Sequence, residues 1–85
     1  MKRVEDFIRL CETPGITGFE HTAAEAAAVL LRPWCDSVEI DSFGSVLGIR
    51  RCGRRDAKTV LLDAHIDQIG FLVTEVLDGG FLRFT

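Results

Sequence analysis

The sequence lacks any apolar run near the ~20 residues that a membrane-spanning helix needs. It also has no Cys-x-x-C motif, and its three cysteines (Cys11, Cys35 and Cys52) are odd in number and widely spaced. That pattern disfavours a disulfide framework and predicts free thiols in a reducing compartment. Charged residues throughout Lys2 to Leu10 exclude a secretory signal peptide. We therefore expect a cytoplasmic protein without membrane contact.

An excess of positive charge is also missing, since the net charge is −3. This predicts no general attraction to nucleic acid or to an anionic membrane. Five of the ten basic residues nevertheless cluster, at Arg50, Arg51, Arg54, Arg55 and Lys58. We interpret the cluster as a solvated loop between two strands. An RNA- or phosphate-binding patch is the alternative, although the chain lacks an aromatic stacking surface beside it.

The 85 residues, 47% of them hydrophobic, allow one small domain or a piece of a larger one and argue against disorder. Val4, Phe7, Ile8 and Cys11 form one apolar stripe at helical spacing, and Thr13-Pro14-Gly15 ends this first helix. Thr17-Gly18-Phe19-Glu20 has the form of a capping box that begins a second helix, which runs to about Arg32 before Pro33. The many alanines of the second helix predict close packing against a sheet.

From Ser37 onward the hydrophobic period changes from 3.6 to 2, which predicts about five strands. The turns between them are Asp41-Ser42-Phe43-Gly44 and Asp78-Gly79-Gly80. The predicted strands are 38–40, 46–49, 59–64, 69–76 and 81–84. The continuous apolar character of 59–64 is typical of a strand buried on both faces. The fold class is thus α/β, with two helices followed by about five strands.

A His-x-Asp pair, His65 and Asp67, stands at the end of the predicted buried strand. Residues i and i+2 of a strand point to the same side, so Asp67 can reach the His65 ring. Catalytic zinc sites use neutral imidazole nitrogens, and a carboxylate on the other ring nitrogen fixes the tautomer. His65 is therefore a candidate metal ligand, and Asp67 is a candidate catalytic-site residue that orients it. Gly70 would allow a bend or a close backbone approach.

Taken alone, a His-x-Asp pair is a weak motif, and a structural histidine with a satisfied hydrogen bond is the alternative. His21 lies near the start of the second helix, and we assign it no role.

Four blocks in order strengthen the metal-site interpretation. They are Thr13 to Glu20, Asp41-x-Phe43-Gly44-Ser45-Val46-x-Gly48, Leu62 to Phe71, and Gly79 to Phe84. Together the blocks resemble the start of the dinuclear-metal aminopeptidases, a family that includes glutamyl aminopeptidase, deblocking aminopeptidase and the tetrahedral peptidases. The resemblance spans essentially the whole chain, and four ordered blocks are far more specific than one.

This resemblance implies that residues 1–68 are the N-terminal part of a metallopeptidase catalytic domain. Residues 69–85 would be the opening strands of an inserted β-rich domain used for dimer contact. His65 matches the family's first metal-binding histidine, and Asp67 matches the aspartate that orients it. Gln68 stands where many members have Glu, and Ser45 where many have Asn. The family's other metal ligands and its general base lie in sequence beyond residue 85.

The resemblance also implies a complete enzyme with two zinc or cobalt ions, a peptide substrate and a homo-oligomeric state. We expect the 85-residue chain by itself to be inactive and to bind no metal stably, because it supplies one ligand where catalytic zinc usually has three. A non-enzymatic module or truncated remnant that oligomerises through exposed strand edges is the alternative. The endoglucanase label that some family members carry is disfavoured, because no suitable pair of carboxylates is evident.

Overall fold

A computed structural model describes residues 2–85. Within that range, the helices α1 (Lys2–Glu12) and α2 (His21–Leu31) precede four strands, which are β1 (Ser37–Ile40), β2 (Val46–Ile49), β3 (Val73–Val76) and β4 (Leu82–Phe84). The strands pair as two antiparallel sheets, β1 with β2 and β3 with β4. The predicted order of helices followed by strands is confirmed. Met1, the first residue of the predicted 1–68 portion, lies outside the described residues.

The first helix ends at Glu12, as the proline two residues later predicts. Its apolar stripe is not buried, because Val4, Phe7 and Ile8 are all exposed. Helix α1 therefore has the amphipathic pattern of a packed helix, but residues 2–85 provide no surface that covers the stripe.

The second helix packs against the first sheet through its alanines, as predicted. Ala23, Ala24, Ala27 and Ala28 are the buried hydrophobic residues of the described chain. Gly48 on β2 also leaves room for the end of this helix and the chain after it, since a Cβ there would lie 3.5 Å from Leu31 Cδ1 and 2.7 Å from the Cys35 Sγ atom. The helix then gives way to a short 3-10 turn at Arg32–Trp34, which contains Pro33. This small alanine-lined contact is the core of the molecule.

The capping box predicted at the start of α2 does not form. Glu20 occupies the N-cap position without a side-chain cap hydrogen bond. Its Oε1 atom instead accepts a hydrogen bond from the Gly18 backbone N–H at 2.7 Å. Thr17, the predicted cap, therefore has its hydroxyl available for another partner.

The two predicted turns are confirmed as hairpins. In the first, Asp41 Oδ1 accepts hydrogen bonds from the backbone N–H groups of Phe43 and Ser45, both at 2.9 Å. Gly44 closes that turn at φ +86°, in the left-handed region that favours glycine. In the second, the Leu77 N–H donates to the Phe81 carbonyl at 2.8 Å across Asp78–Gly80. Local turn chemistry is sufficient to specify both connections.

The predicted strand over 59–64 is wrong, and the strand count falls from about five to four. Val60, Leu61 and Leu62 are 78%, 78% and 91% exposed rather than buried. A strand buried on both faces needs hydrogen-bonding neighbours on both edges and covered faces. The four strands in residues 2–85 pair with one another and leave none for this segment. The predicted strand 69–76 is also shortened, to Val73–Val76.

The described chain is elongated, with principal extents of 66 × 31 × 15 Å. Its radius of gyration is 17.6 Å, whereas a compact chain of this length would have about 12 Å. Many large apolar side chains consequently remain exposed on both sheets and on the 59–64 segment. No helix within residues 2–85 is long and apolar enough to cross a membrane.

Candidate metal centre

The predicted His-x-Asp pair is formed. His65 Nδ1 and Asp67 Oδ1 lie 2.8 Å apart. An ionised carboxylate can only accept a hydrogen bond, so the imidazole donates from Nδ1, and the neutral ring then has its lone pair on Nε2. The ring is 87% exposed and its carboxylate partner 40% exposed. The spacing therefore brings the two side chains together even though His65 does not end a buried strand.

The second oxygen of the Asp67 carboxylate is also held. Thr17 Oγ1 donates a hydrogen bond to Asp67 Oδ2 at 2.8 Å. The Thr17 hydroxyl and, next, the hydrogen bond from His65 lower the pKa of Asp67 below its ordinary value of 3.8. Asp67 is therefore ionised at neutral pH, and an ionised carboxylate is one of the usual hydrogen-bond acceptors for the second ring nitrogen of a metal-binding histidine.

The segment after Asp67 is tied to the connection between the two helices. The Gln68 backbone N–H donates to the Gly15 carbonyl at 2.7 Å, in a parallel bridge that pairs Ile16 with Gln68. The Gln68 side-chain amide donates to the Cys11 carbonyl at 3.0 Å. Gly70 permits the close approach, since a Cβ there would lie 2.5 Å from Ile16 Cγ1. The bend or close approach predicted for Gly70 is thus a close approach to Ile16.

The pair opens on a cleft of about 380 Å³. One wall is the chain around the pair, and the other is the β1–β2 hairpin turn with Glu20. The lining residues are Glu20, Phe43, Gly44, Ser45, Val46, Asp63, Ala64, His65, Ile66 and Asp67. Residues 2–85 bring no group of three or more His, Cys, Asp or Glu side chains together as a metal site. The arrangement fits a metal as one ligand, through His65 Nε2.

Sequence reasoning missed three parts of this arrangement. It assigned Thr17 to a helix cap, it treated Gln68 only as a change of charge, and it gave the hairpin turn at 43–46 no position near His65. All three lie within the ordered blocks that carry the family resemblance. The occurrence of these blocks together in one sequence could have indicated that their residues lie close together in the fold.

The basic cluster lies apart from this cleft, around a separate hollow of about 650 Å³ lined by residues 49–55 and 57–60. Arg54 and Asp56 approach to 3.8 Å there, with both side chains largely exposed. The cluster was predicted to lie in a loop between two strands. The loop does follow β2, but it leads into the 59–64 segment, which is not a strand.

Comparison with known proteins identifies the family. Residues 44–85, which include His65, Asp67 and the hairpin wall of the cleft, match the profile of the M42 glutamyl aminopeptidases. FrvX of Escherichia coli K12, provisionally named an aminopeptidase, is 32% identical over 82 residues, which cover 96% of this chain and 22% of FrvX. The lysyl aminopeptidase of Pyrococcus furiosus is 33% identical over 76 residues, which cover 88% of this chain and 21% of that enzyme. The chain belongs to the M42 aminopeptidase family.

The chain spans about a fifth of the length of the curated M42 relatives it matches. No solved structure matches it. M42 proteins are metal-dependent peptidases. The imidazole nitrogen of His65 is a suitable metal ligand, and it is the one such ligand that we assign to this cleft.

Proposed function

We propose that this chain is the N-terminal portion of a metal-dependent aminopeptidase that removes N-terminal residues from peptides. Residues 1–68 belong to the catalytic domain, and residues 69–85 are the opening strands of an inserted β-rich domain. Membership of the M42 family supports the reaction class. The single observation that carries the proposal is the 2.8 Å contact between His65 Nδ1 and Asp67 Oδ1, because it leaves Nε2 as a metal-binding lone pair.

The roles of the two residues follow from this geometry. His65 contributes Nε2 to one of two divalent metal ions, zinc or cobalt. Asp67 holds the proton on Nδ1 and raises the basicity of the ligating nitrogen. When bound, the metal ions supply Lewis-acid polarisation of the scissile carbonyl and a water of lowered pKa. Asp67 acts through His65 and does not touch the substrate.

The 85-residue chain alone is proposed to be inactive. A catalytic zinc ion usually has three protein ligands. The residues described here bring one histidine and its carboxylate partner into the cleft, together with the carboxylates of Glu20 and Asp63 on the same lining. Residues 2–85 nevertheless bring no three His, Cys, Asp or Glu side chains close enough together to hold a metal ion. A second and third ligand therefore have to come from elsewhere in a complete enzyme.

The test first reads the coding DNA downstream of Thr85, where a stop codon directly after Thr85 would favour the non-enzymatic module. If the reading frame continues, the longer gene product is expressed and compared with the purified 85-residue chain. Both are incubated with peptide anilides, with and without added zinc or cobalt. We expect metal-dependent release of N-terminal residues by the longer product and none by the 85-residue chain. Metal-dependent release by the short chain would disprove its inactivity, and an inactive, metal-replete longer product would count against the aminopeptidase.

A second candidate function is self-association of the chain as a non-enzymatic module. The observation in its favour is the exposed apolar surface of 60–62 and of the β3–β4 hairpin, where Phe71 and Phe84 pack edge to face at 4.7 Å. Unpaired strand edges with such surface favour pairing with a second copy. Light scattering after size exclusion should show an oligomer, and a monomer that melts cooperatively would contradict this proposal.

A cytoplasmic location is part of the proposal. Cys11, Cys35 and Cys52 are free thiols in the structure. Two of them are exposed, and exposed free thiols are typical of a reducing compartment.

A further inference from the structure

The Asp67 carboxylate is anchored at both oxygens by different elements of the chain. His65 Nδ1 lies 2.8 Å from Oδ1, and Thr17 Oγ1 donates to Oδ2 at 2.8 Å. A carboxylate held at one oxygen can still rotate about its terminal torsion, which has a broad energy profile. With both oxygens held, the plane of the carboxylate is set, and so is the direction from which it meets the imidazole.

Thr17 itself is placed by the backbone around it. Gly15 and Ile16 dock against Gln68 through the 2.7 Å hydrogen bond and the parallel bridge described above. Ile16 packs against Gly70, where any Cβ would collide with it. These contacts directly precede Thr17 and directly follow Asp67 in the chain, so the docking of 15–16 on 68–70 brings the hydroxyl to the carboxylate.

The sequence assigned Thr17 to a different role, as the cap of α2. The helix begins at His21 with Glu20 at its N-cap, and no side-chain cap bond is made. The only hydrogen bond of the Thr17 hydroxyl within the described chain goes to Asp67. The hydroxyl therefore serves the His65–Asp67 pair rather than the helix.

We infer that Thr17 is a positioning residue for the metal centre: it holds Asp67 so that His65 keeps its proton on Nδ1 and presents the Nε2 lone pair to a divalent cation. The cation part rests on the proposed function. The tautomer part does not, because it concerns only the three side chains of this chain.

The test reads the tautomer directly in the metal-free 85-residue chain. Long-range nitrogen–proton NMR spectra are recorded in alkaline buffer, in which free imidazole is neutral. In the unchanged chain we expect the Nδ1–H form of His65 to predominate. Thr17→Val keeps the shape and removes the hydroxyl, and the ratio of Nδ1–H to Nε2–H should fall about threefold or more, as expected for loss of a hydrogen bond to a charged group. Thr17→Ser should restore it.

Matched controls separate positioning from a general effect on folding. Thr13→Val removes a hydroxyl that donates to the Arg9 carbonyl at 2.7 Å, outside the site, and should leave the ratio unchanged. In an Asp67→Ala background, Thr17→Val should have no further effect, because Thr17 acts through Asp67. If the amide spectrum shows that Thr17→Val does not fold, Thr17→Ala takes its place. The tautomer ratios of the unchanged chain and of Thr17→Ser are then compared with that of Thr17→Ala.

A predominant Nε2–H form in the unchanged chain, or an equal ratio in Thr17→Val and Thr17→Ser, would overturn the inference. Zinc binding by the longer gene product is measured separately. If the tautomer follows Thr17 but His65 binds no metal there, the proposed function fails and the positioning role stands. If His65 binds metal but the tautomer ratio does not change in Thr17→Val, the positioning role fails and the proposed function stands.

Discussion

The side-chain amide of Gln68 donates a hydrogen bond to the Cys11 carbonyl at 3.0 Å, across 57 positions of sequence. It joins the last turn of α1 to the residue that follows Asp67. The same residue bonds the Gly15 carbonyl through its backbone N–H. Gln68 is thus a double tether between the helical part of the chain and the candidate metal centre.

Gln68→Glu should destabilise the chain at neutral pH. A glutamate carboxylate has no N–H to donate and would place negative charge against the Cys11 carbonyl oxygen. We expect a loss of about 1 kcal/mol in the free energy of unfolding, measured by urea titration. The loss should shrink as the pH falls through the glutamate pKa of ~4.3, because the protonated acid can donate again. A loss that is independent of pH would contradict the tether.

Gly70→Ala should be destabilising for a steric reason. The backbone of Gly70 is not in the left-handed region, so alanine is tolerated there by the backbone itself. Its Cβ would lie 2.5 Å from Ile16 Cγ1 and 2.6 Å from Ile16 Cδ1. We expect a cost of about 1–3 kcal/mol in the free energy of unfolding.

Ile16→Ala provides the matched rescue for that substitution, since it removes the atoms in conflict. The double variant Gly70→Ala with Ile16→Ala should be more stable than the sum of the two single effects predicts. Additive single effects would show that Ile16 and Gly70 do not meet as described.

Asp67→Asn should weaken metal binding in the longer gene product. The amide is neutral, so it holds the proton on His65 Nδ1 less strongly and makes Nε2 less basic. Loss of such an orienting partner typically costs 10- to 100-fold in metal affinity, which competition with a chelator can measure. Asp63→Asn is the control, because Asp63 lines the same cleft without bonding His65 in the described residues. Equal affinities in the two variants would refute the role of Asp67.

Sequence reasoning succeeded where the determinants are local. The Asp41 and Gly44 turn, the Asp78–Gly80 turn and the alanine face of α2 each depend on a few neighbouring residues. The contact between His65 and Asp67 could also be predicted from their spacing. It forms without the strand that was used to justify it.

The failures concern partners that are distant in sequence. An apolar run such as 59–64 does not reveal whether neighbouring strands exist to pair with it, and here the four strands of the described chain pair elsewhere. Thr17 has a plausible local role three residues before Glu20, yet its hydroxyl bonds Asp67, 50 positions away. Neither outcome is encoded in hydrophobic periodicity.

The central claim is that His65 is a metal ligand, and metal content tests it most directly. The chain has two histidines, so His21→Ala is a matched control for His65→Ala. Each variant of the longer gene product is dialysed against a weak chelator and its bound zinc or cobalt is counted. We predict that His65→Ala binds metal at least tenfold more weakly and loses it during dialysis, whereas His21→Ala keeps its metal. Equal metal retention by the two variants would contradict the account.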